Sequence, residues 1–425
     1  MAATLRGADR KINGGYTMTK RRGGLFLACW LFLAGNVCGS DREPSHISVG
    51  LTIDGYGITF GNARRVNGLR INFIDAGLEQ VNGVNLTLWK PGKNPEARIN
   101  GLALGLLAPQ AHTITGVSIG GLATVTEGDM IGVHLGGLAT VSDGDIKGLA
   151  VGGLATVSDG NLAGVGIGGL AVMADRNMTG FNVGGLATVA QGNLTGISVG
   201  GLAVVSEHQA TGLNLGGLAV VAEGSMTGLN IGGLATVSER DLTGLNIGGL
   251  AVVAEGNMRG ITVGGLGIVS QEELHGLSLS AGVIYSSRKL SGIAVGGLPS
   301  IQKNEGPGGR YTVRGVDAES ATGLLVHGID VRINGLLTGA AVGGIRVKAE
   351  EIKGASCAGV IVYAKDLTGF SVGTVNYIDR HQTGLSIGVF NYARVLNGIQ
   401  LGVLNFAGNN RGILKLLPVL NAHFE

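Results

Sequence analysis

From Gly116 to His275 the chain repeats itself every 16 residues, ten times without an insertion. Gly116, Gly132, Gly148, Gly164, Gly180, Gly196, Gly212, Gly228, Gly244 and Gly260 open the units. A fixed short period restricts the chain to repeat architectures in which each unit leans on its neighbours. Counting from the opening glycine, positions 2 and 4 are apolar and position 3 is small or polar, as in Leu229-Asn230-Ile231. Positions 8 to 10 are Ala followed by Thr, Val or Ile in most units. This alternation is strand-like. Gly at positions 1, 5 and 6 opposes a helix, each costing about 1 kcal/mol against Ala. The Gly-Gly pair at 5 and 6 admits positive φ or a sharp corner, and the polar run at 12 to 14, as in Glu255-Gly256-Asn257, is a second turn.

Two strands and two corners per unit predict an all-β chain. The favoured closure is a β-solenoid, one 16-residue coil per unit, with equivalent residues stacked about 4.8 Å apart. An antiparallel β-meander and an outer-membrane β-barrel are the alternatives. Stacking explains why single positions recur, as Asn214, Asn230 and Asn246 do, because amides so placed can hydrogen-bond along the axis. One coil cannot stand alone. A handful of buried apolar side chains, at about 1.5–3 kcal/mol each, does not offset the ordering of a coil's backbone at about 1–2 kcal/mol per residue.

The ends of the chain differ from its centre. Residues 1–40 read as a secretory signal with an N-terminal extension. Lys20-Arg21-Arg22 precedes an apolar run from Leu25 to Ala34, which suits a signal peptide and is short for a membrane-spanning helix. Met18 is a candidate start, with cleavage near Gly39 or Ser40. Lipidation of Cys38 is an alternative fate for that segment. Loss of Cys29 and Cys38 with the signal would leave Cys357, read as a small core residue. Residues 41–115 carry looser repeats opened by Gly68, Gly83 and Gly101, where Arg64, Arg65 and Arg70 suit a capping surface. The regular array occupies 116–298. A Gly-, Pro- and charge-rich segment at 299–322 is expected as a loop or hairpin thrown out of the array. Degenerate repeats fill 323–425.

In that last stretch the units become Gly384-Leu-Ser-Ile-Gly-Val-Phe-Asn391 and Gly398-Ile-Gln-Leu-Gly-Val-Leu-Asn405. From Gly369 to Asn405, and again at Leu416-Leu417-Pro418-Val419-Leu420-Asn421, the chain resembles the leptospiral-type bacterial surface-repeat family. That family's units read Gly-apolar-Gln-apolar-Gly-apolar-apolar-Asn. The central units depart from it, with Gly-Gly-Leu-Ala in place of the Asn-ending segment. The resemblance implies an exported bacterial protein of the cell surface or outer membrane, and implies no reaction.

Chemistry is sparse. Net charge is +2 overall, but the regular units hold 13 Asp and Glu against 4 Lys and Arg, which opposes a phosphate-binding groove and hence nucleic acid. Position 12 is an acidic column: Glu127, Asp143, Asp159, Asp175, Gln191, Glu207, Glu223, Glu239, Glu255 and Gln271. With Asp129 and Asp145 at position 14, the residues Glu127, Asp129, Asp143, Asp145, Asp159 and Asp175 form a candidate Ca²⁺ ladder, since oxygen ligands on adjacent coils suit that ion. A solvated polar edge is the plainer reading. The Thr column at position 9 (Thr124, Thr140, Thr156, Thr188, Thr236) raises ice binding, although Val interrupts it. Gly164-Val-Gly166-Ile-Gly168-Gly169 mimics a dinucleotide loop but lacks the strand-turn-helix setting. His134, His208 and His275 fall at differing positions, without metal-ligand spacing. The expectation is a non-catalytic exported protein with a structural or adhesion-like role toward a protein or glycan at the cell surface. Its alternatives are an outer-membrane barrel and a calcium-binding or glycan-active solenoid. Aromatic content of 4% weighs against a glycan-active groove.

Overall fold

The computed structural model describes residues 48–53, 56–92, 94–298, 300–303 and 311–424. The segment expected to be a secretory signal, with Met18, Cys29 and Cys38, lies outside the described residues. The fold is a β-solenoid of about 20 turns of roughly 16 residues. In the central array each coil has a seven-residue strand and a four-residue strand, as in Leu242–Gly248 and Ala251–Ala254. Each strand pairs in parallel with its equivalents one coil away. Leu213, Leu229 and Leu245 stand in one column, as do Asn214, Asn230 and Asn246. Parallel pairing at a one-coil offset excludes the meander and the barrel for the array, because both need neighbouring strands to run in opposite directions.

The glycine columns follow from this stacking. The opening glycines of the ten regular units have φ between +111° and +125°, a region closed to most side chains. A Cβ on Gly228 would lie 2.2 Å from the Gly212 carbonyl oxygen of the coil before. The pair at positions 5 and 6 is required for a different reason than positive φ. A Cβ on Gly232 would lie 1.8 Å from the Ala235 carbonyl oxygen across the corner, and one on Gly233 would lie 1.9 Å from that of Gly217. The corner closes without a side chain because there is no space for one.

The pleat runs opposite to the simplest reading of the apolar pattern. Positions 3, 9, 11 and 15 face inward, and positions 2, 4, 7 and 10 face outward. In one coil Asn230, Thr236, Ser238 and Leu242 are buried, while Leu229, Ile231 and Val237 are half-buried and Leu234 is 46% exposed. Most of the largest buried side chains of the array form a file at position 15, including Met130, Ile146, Leu162, Met178, Leu194, Met226, Leu242 and Met258, with Ile268 at position 9. Cys357 stands in the outward column between Val342 and Val372. It is exposed and free, which corrects its expected place in the core.

The ends are closed by antiparallel pairs. Ser48–Ile53 pairs with Tyr56–Gly61, which then joins the parallel array. At the other end Leu416–His423 returns antiparallel along Phe390–Ala407. The excursion after Gly297 is a hairpin of Ser300–Lys303 and Tyr311–Arg314. The array resumes in register, with Gly323 beside Gly292. Arg70 is not on a capping surface: it is fully buried at position 3, with its ion pair to Asp75 at 2.7 Å, whereas Arg64 and Arg65 meet Glu79 at the exterior.

A Gly233→Ala substitution should lower stability by about 1–3 kcal/mol, read as a lower thermal midpoint by circular dichroism. Thr227→Ala, at an exposed position of the same coil, should change it by no more than about 0.5 kcal/mol. Equal effects would contradict the steric origin of the glycine column.

Candidate functional site

Around one coil the backbone accounts for all but one of the corner amides. Gly249, Leu250 and Ala251 donate to Gly232, Leu234 and Leu234, at 3.2, 2.7 and 3.1 Å. At the second corner Glu255 and Gly256 donate to Ser238 and Arg240, both at 3.1 Å, and Met258 donates to Glu273 at 2.8 Å. The remaining corner amide, Asn257 N–H, is met by a side chain: Asp241 Oδ1 accepts it at 2.8 Å. Position 14 repeats that service along the edge. Asp129 accepts from Asp145 N–H at 2.9 Å, Asp145 from Asn161 N–H at 2.9 Å, and Asn161 from Asn177 N–H at 3.2 Å. The carboxamide or carboxylate there closes the backbone of the next coil.

That hydrogen bonding reassigns two of the six candidate calcium-ladder residues. Asp129 and Asp145 point an oxygen at a backbone amide, and the Asp145 carboxyl is held below its ordinary range by that hydrogen bond from Asn161. Glu127, Asp143, Asp159 and Asp175 do stand in one column at position 12. No group of three or more His, Cys, Asp or Glu side chains converges for a metal among the described residues. Burial instead raises the carboxyls of Asp143, Asp159 and Asp175, and Asp159 is raised further by its two neighbours. Like charges stacked one coil apart disfavour ionisation. Gln191 interrupts the repulsion by donating to Asp175 at 3.0 Å.

The Thr column is not a surface. Thr124, Thr140, Thr156, Thr188 and Thr236 are fully buried, and Thr236 Oγ1 donates to the Ile247 carbonyl at 2.7 Å. This removes the basis for ice binding, which needs exposed hydroxyls. The Gly164–Gly169 run lies in the strand Leu162–Gly168 and the corner after it, with no helix to follow. His208 and His275 sit on the polar edge, where His208 Nδ1 lies 2.9 Å from the Gln191 carbonyl and His275 is 2.7 Å from Glu273. Two shallow depressions open on that edge. One is lined by Arg65, Glu79, Glu96, Arg98 and His112, the other by Glu207, His208, Glu223 and Arg240.

The interior carries the polar chemistry that the outward apolar columns lack. Asn214 Nδ2 donates to Asn230 Oδ1, and Asn230 Nδ2 to Asn246 Oδ1, both at 2.9 Å. Asn182, at the same position two coils before Asn214, has Gly166 and Ser198 as its neighbours. A second ladder, on the long strands Val375–Ile387 and Phe390–Ala407, joins Asn376, Asn391 and Asn405 at 2.7 Å per step. His134 occupies the inner column at position 3, its Nδ1 2.8 Å from Ser118 Oγ. Burial pushes its pKa down to about 4. Outside, Tyr363, Tyr377, Tyr392 and Phe406 stack with ring centroids 5.7, 4.6 and 5.0 Å apart.

What the sequence pattern concealed is the outward facing of the apolar residues: the corner leucines at position 7 and the columns at 2, 4 and 10. Leu122, Leu138, Leu154, Leu170, Leu186, Leu202, Leu218, Leu234, Leu250 and Leu266 are 42–61% exposed. The available signal was parity. Glycine is obligatory at position 5 because that position faces in, so position 3 faces in with it, and 2 and 4 face out.

Two pH responses follow. His134 is neutral in the fold, with a pKa below its ordinary 6.5, so its contribution to stability is full above pH 6.5 and is lost as pH falls from there toward 4. His134→Asn, the residue native to this column in other coils, should flatten that part of a thermal-midpoint profile. Asp159 is raised, so its contribution is present at low pH and lost as pH rises through its folded pKa. Asp159→Asn should raise the midpoint at pH 7 by about 1–2 °C and leave it unchanged well below the carboxylate range. Compared with protein-family models, curated proteins and solved structures, the chain matches none.

Proposed function

We propose that this chain is a non-catalytic, exported bacterial repeat protein whose work is contact along an extended surface. The observation that carries the reading is the recurrence of one outward surface: the same half-exposed apolar side chain returns at position 7 in ten consecutive coils. An array that presents one patch many times gains apparent affinity by multivalency, and its rigid repeat suits a structural or adhesion-like role at a cell boundary. Two features of the sequence support export: the basic flank followed by the apolar run at 25–34, and the surface-repeat character of Gly369 to Asn405. The partner on this reading is a component of the cell surface or outer membrane.

The test is protease accessibility of intact cells producing the full-length chain. Digestion of the array in unbroken cells, with a cytoplasmic marker untouched, is the expected result. Protection until the cells are lysed with detergent and the outer membrane opened would overturn surface exposure.

A further inference from the structure

In the ten regular coils every Asp, Glu, Lys and Arg lies at positions 12 to 16, and positions 1 to 11 hold none. The outward side chains of that charge-free span are apolar on three adjoining surfaces. Leu229 and Ile231 lie on the outer face of the long strand, Leu234 at the Gly-Gly corner, and Val237 on the outer face of the short strand. The same sequence of surfaces recurs coil after coil, so the solenoid has one apolar edge, apolar flanks and one charged edge. Its charged content, 14% of the chain, is well under the roughly 25% usual for soluble domains.

The size of this surface is outside what a free monomer ordinarily carries. Full burial of a leucine side chain removes roughly 60–120 Å² of apolar surface from water, so a half-exposed one leaves about 50 Å². The ten corner leucines alone then approach about 500 Å², at the upper end of monomer patches. The flanking columns carry the total past the roughly 800 Å² per partner of a standard interface.

We propose that the Gly-Gly-Leu edge of the central array inserts into the hydrocarbon of a lipid bilayer, with the solenoid axis parallel to the membrane plane and positions 12 to 16 in water. This deepens the contact role above and rests on that reading for its biological setting. Three observations select lipid over a second folded chain. The apolar columns continue around the corner onto both flanks, and a fluid hydrocarbon phase covers all three surfaces, whereas the face of another protein covers one. The backbone at the inserted edge is already satisfied: the amides of Gly249, Leu250 and Ala251 are hydrogen-bonded to the coil before, as a hydrocarbon environment demands. The polar side chains of the same span, among them Asn230, Thr236 and Ser238, are turned inward, so insertion does not strip water from them. An edge of this kind would enter to the depth of interfacial amphipathic elements, about 5–10 Å. The charged edge is acidic and faces away, so attachment needs no anionic lipid and is not weakened by salt.

The test is flotation of the purified full-length chain with phosphatidylcholine vesicles, at low salt and at 1 M salt, roughly the range over which screening of surface charge is complete. Wild type should float at both. The triple variant Leu202→Ser, Leu218→Ser, Leu234→Ser should weaken partitioning at least about tenfold, with unchanged circular dichroism and thermal midpoint. Glu207→Gln, Glu223→Gln, Glu239→Gln, on the opposite edge, should float like wild type. Failure of wild type to float overturns the proposal, as does undiminished flotation of the folded leucine variant. A discrete dimer that ignores vesicles and is dissolved by the leucine variant also overturns it, assigning the surface to a second copy. None of these outcomes touches the cell-surface reading, which stands or falls on protease accessibility.

Discussion

The structure depends on one constraint: each coil must lie on the next with no offset, so that backbone groups meet backbone groups around the whole perimeter. In a parallel stack every amide and carbonyl needs a partner one coil away, and the corners are where this is hardest to meet. Glycine solves it twice. At position 1 it supplies φ near +115°, as Gly228 and Gly244 do. At position 6 it lets the chain pass so close to the preceding coil that a methyl group would strike a carbonyl oxygen. At the other corner an Asx side chain completes the ladder, as Asp241 does for Asn257.

Once the coil is that narrow, its interior has little room. Position 3 holds Ser118, His134, Ala150, Asn230 or Thr262 and position 9 a Thr, a Val or Ile268, while most of the long apolar side chains lie in the file at position 15. The buried amides of the Asn214–Asn230–Asn246 and Asn376–Asn391–Asn405 ladders are tolerated because the stack sets identical side chains donor to acceptor along the axis. The same device extends to charge at the N-terminal end. Arg70 is paired with Asp75 and Asn85, and Asn85 with Asp75 in turn. A buried pair of this kind holds only while its hydrogen bonds are kept. The apolar side chains excluded from so thin a core are displayed on its exterior, where they define the surface available for contact.

The two ends show the same logic by exception. An open stack would leave a row of unpaired strand groups, and each end reverses direction to cover it, with Ser48–Ile53 at one and Leu416–His423 at the other. At the second end Asn421 is fully buried and donates to the Asn405 carbonyl at 3.1 Å, continuing the amide column into the reversal. The hairpin at Ser300–Arg314 is accommodated because it leaves from a corner, so Gly292 and Gly323 remain neighbours despite the longer connection.

The sixteen-residue period, the two strands, the corners and the Asn214–Asn230–Asn246 ladder were readable in the sequence, because a stacked array writes its geometry as identity at fixed intervals. The return of degenerate repeats after the excursion was readable for the same reason, while their register with the array, Gly323 beside Gly292, emerged only in the fold. The facing of the strands was not. Leu229 and Ile231 flanking Asn230 satisfy an apolar-in pattern as well as an apolar-out one, since alternation fixes a period and not a sign. The burial of the Thr column, the exposure of Cys357 and the interior place of Arg70 all follow from that sign. Only the three-dimensional closure settled it: the corner leaves no space for a Cβ on Gly232 at the inner side, so position 5 faces in, position 3 faces in with it, and the apolar residues at 2 and 4 face out.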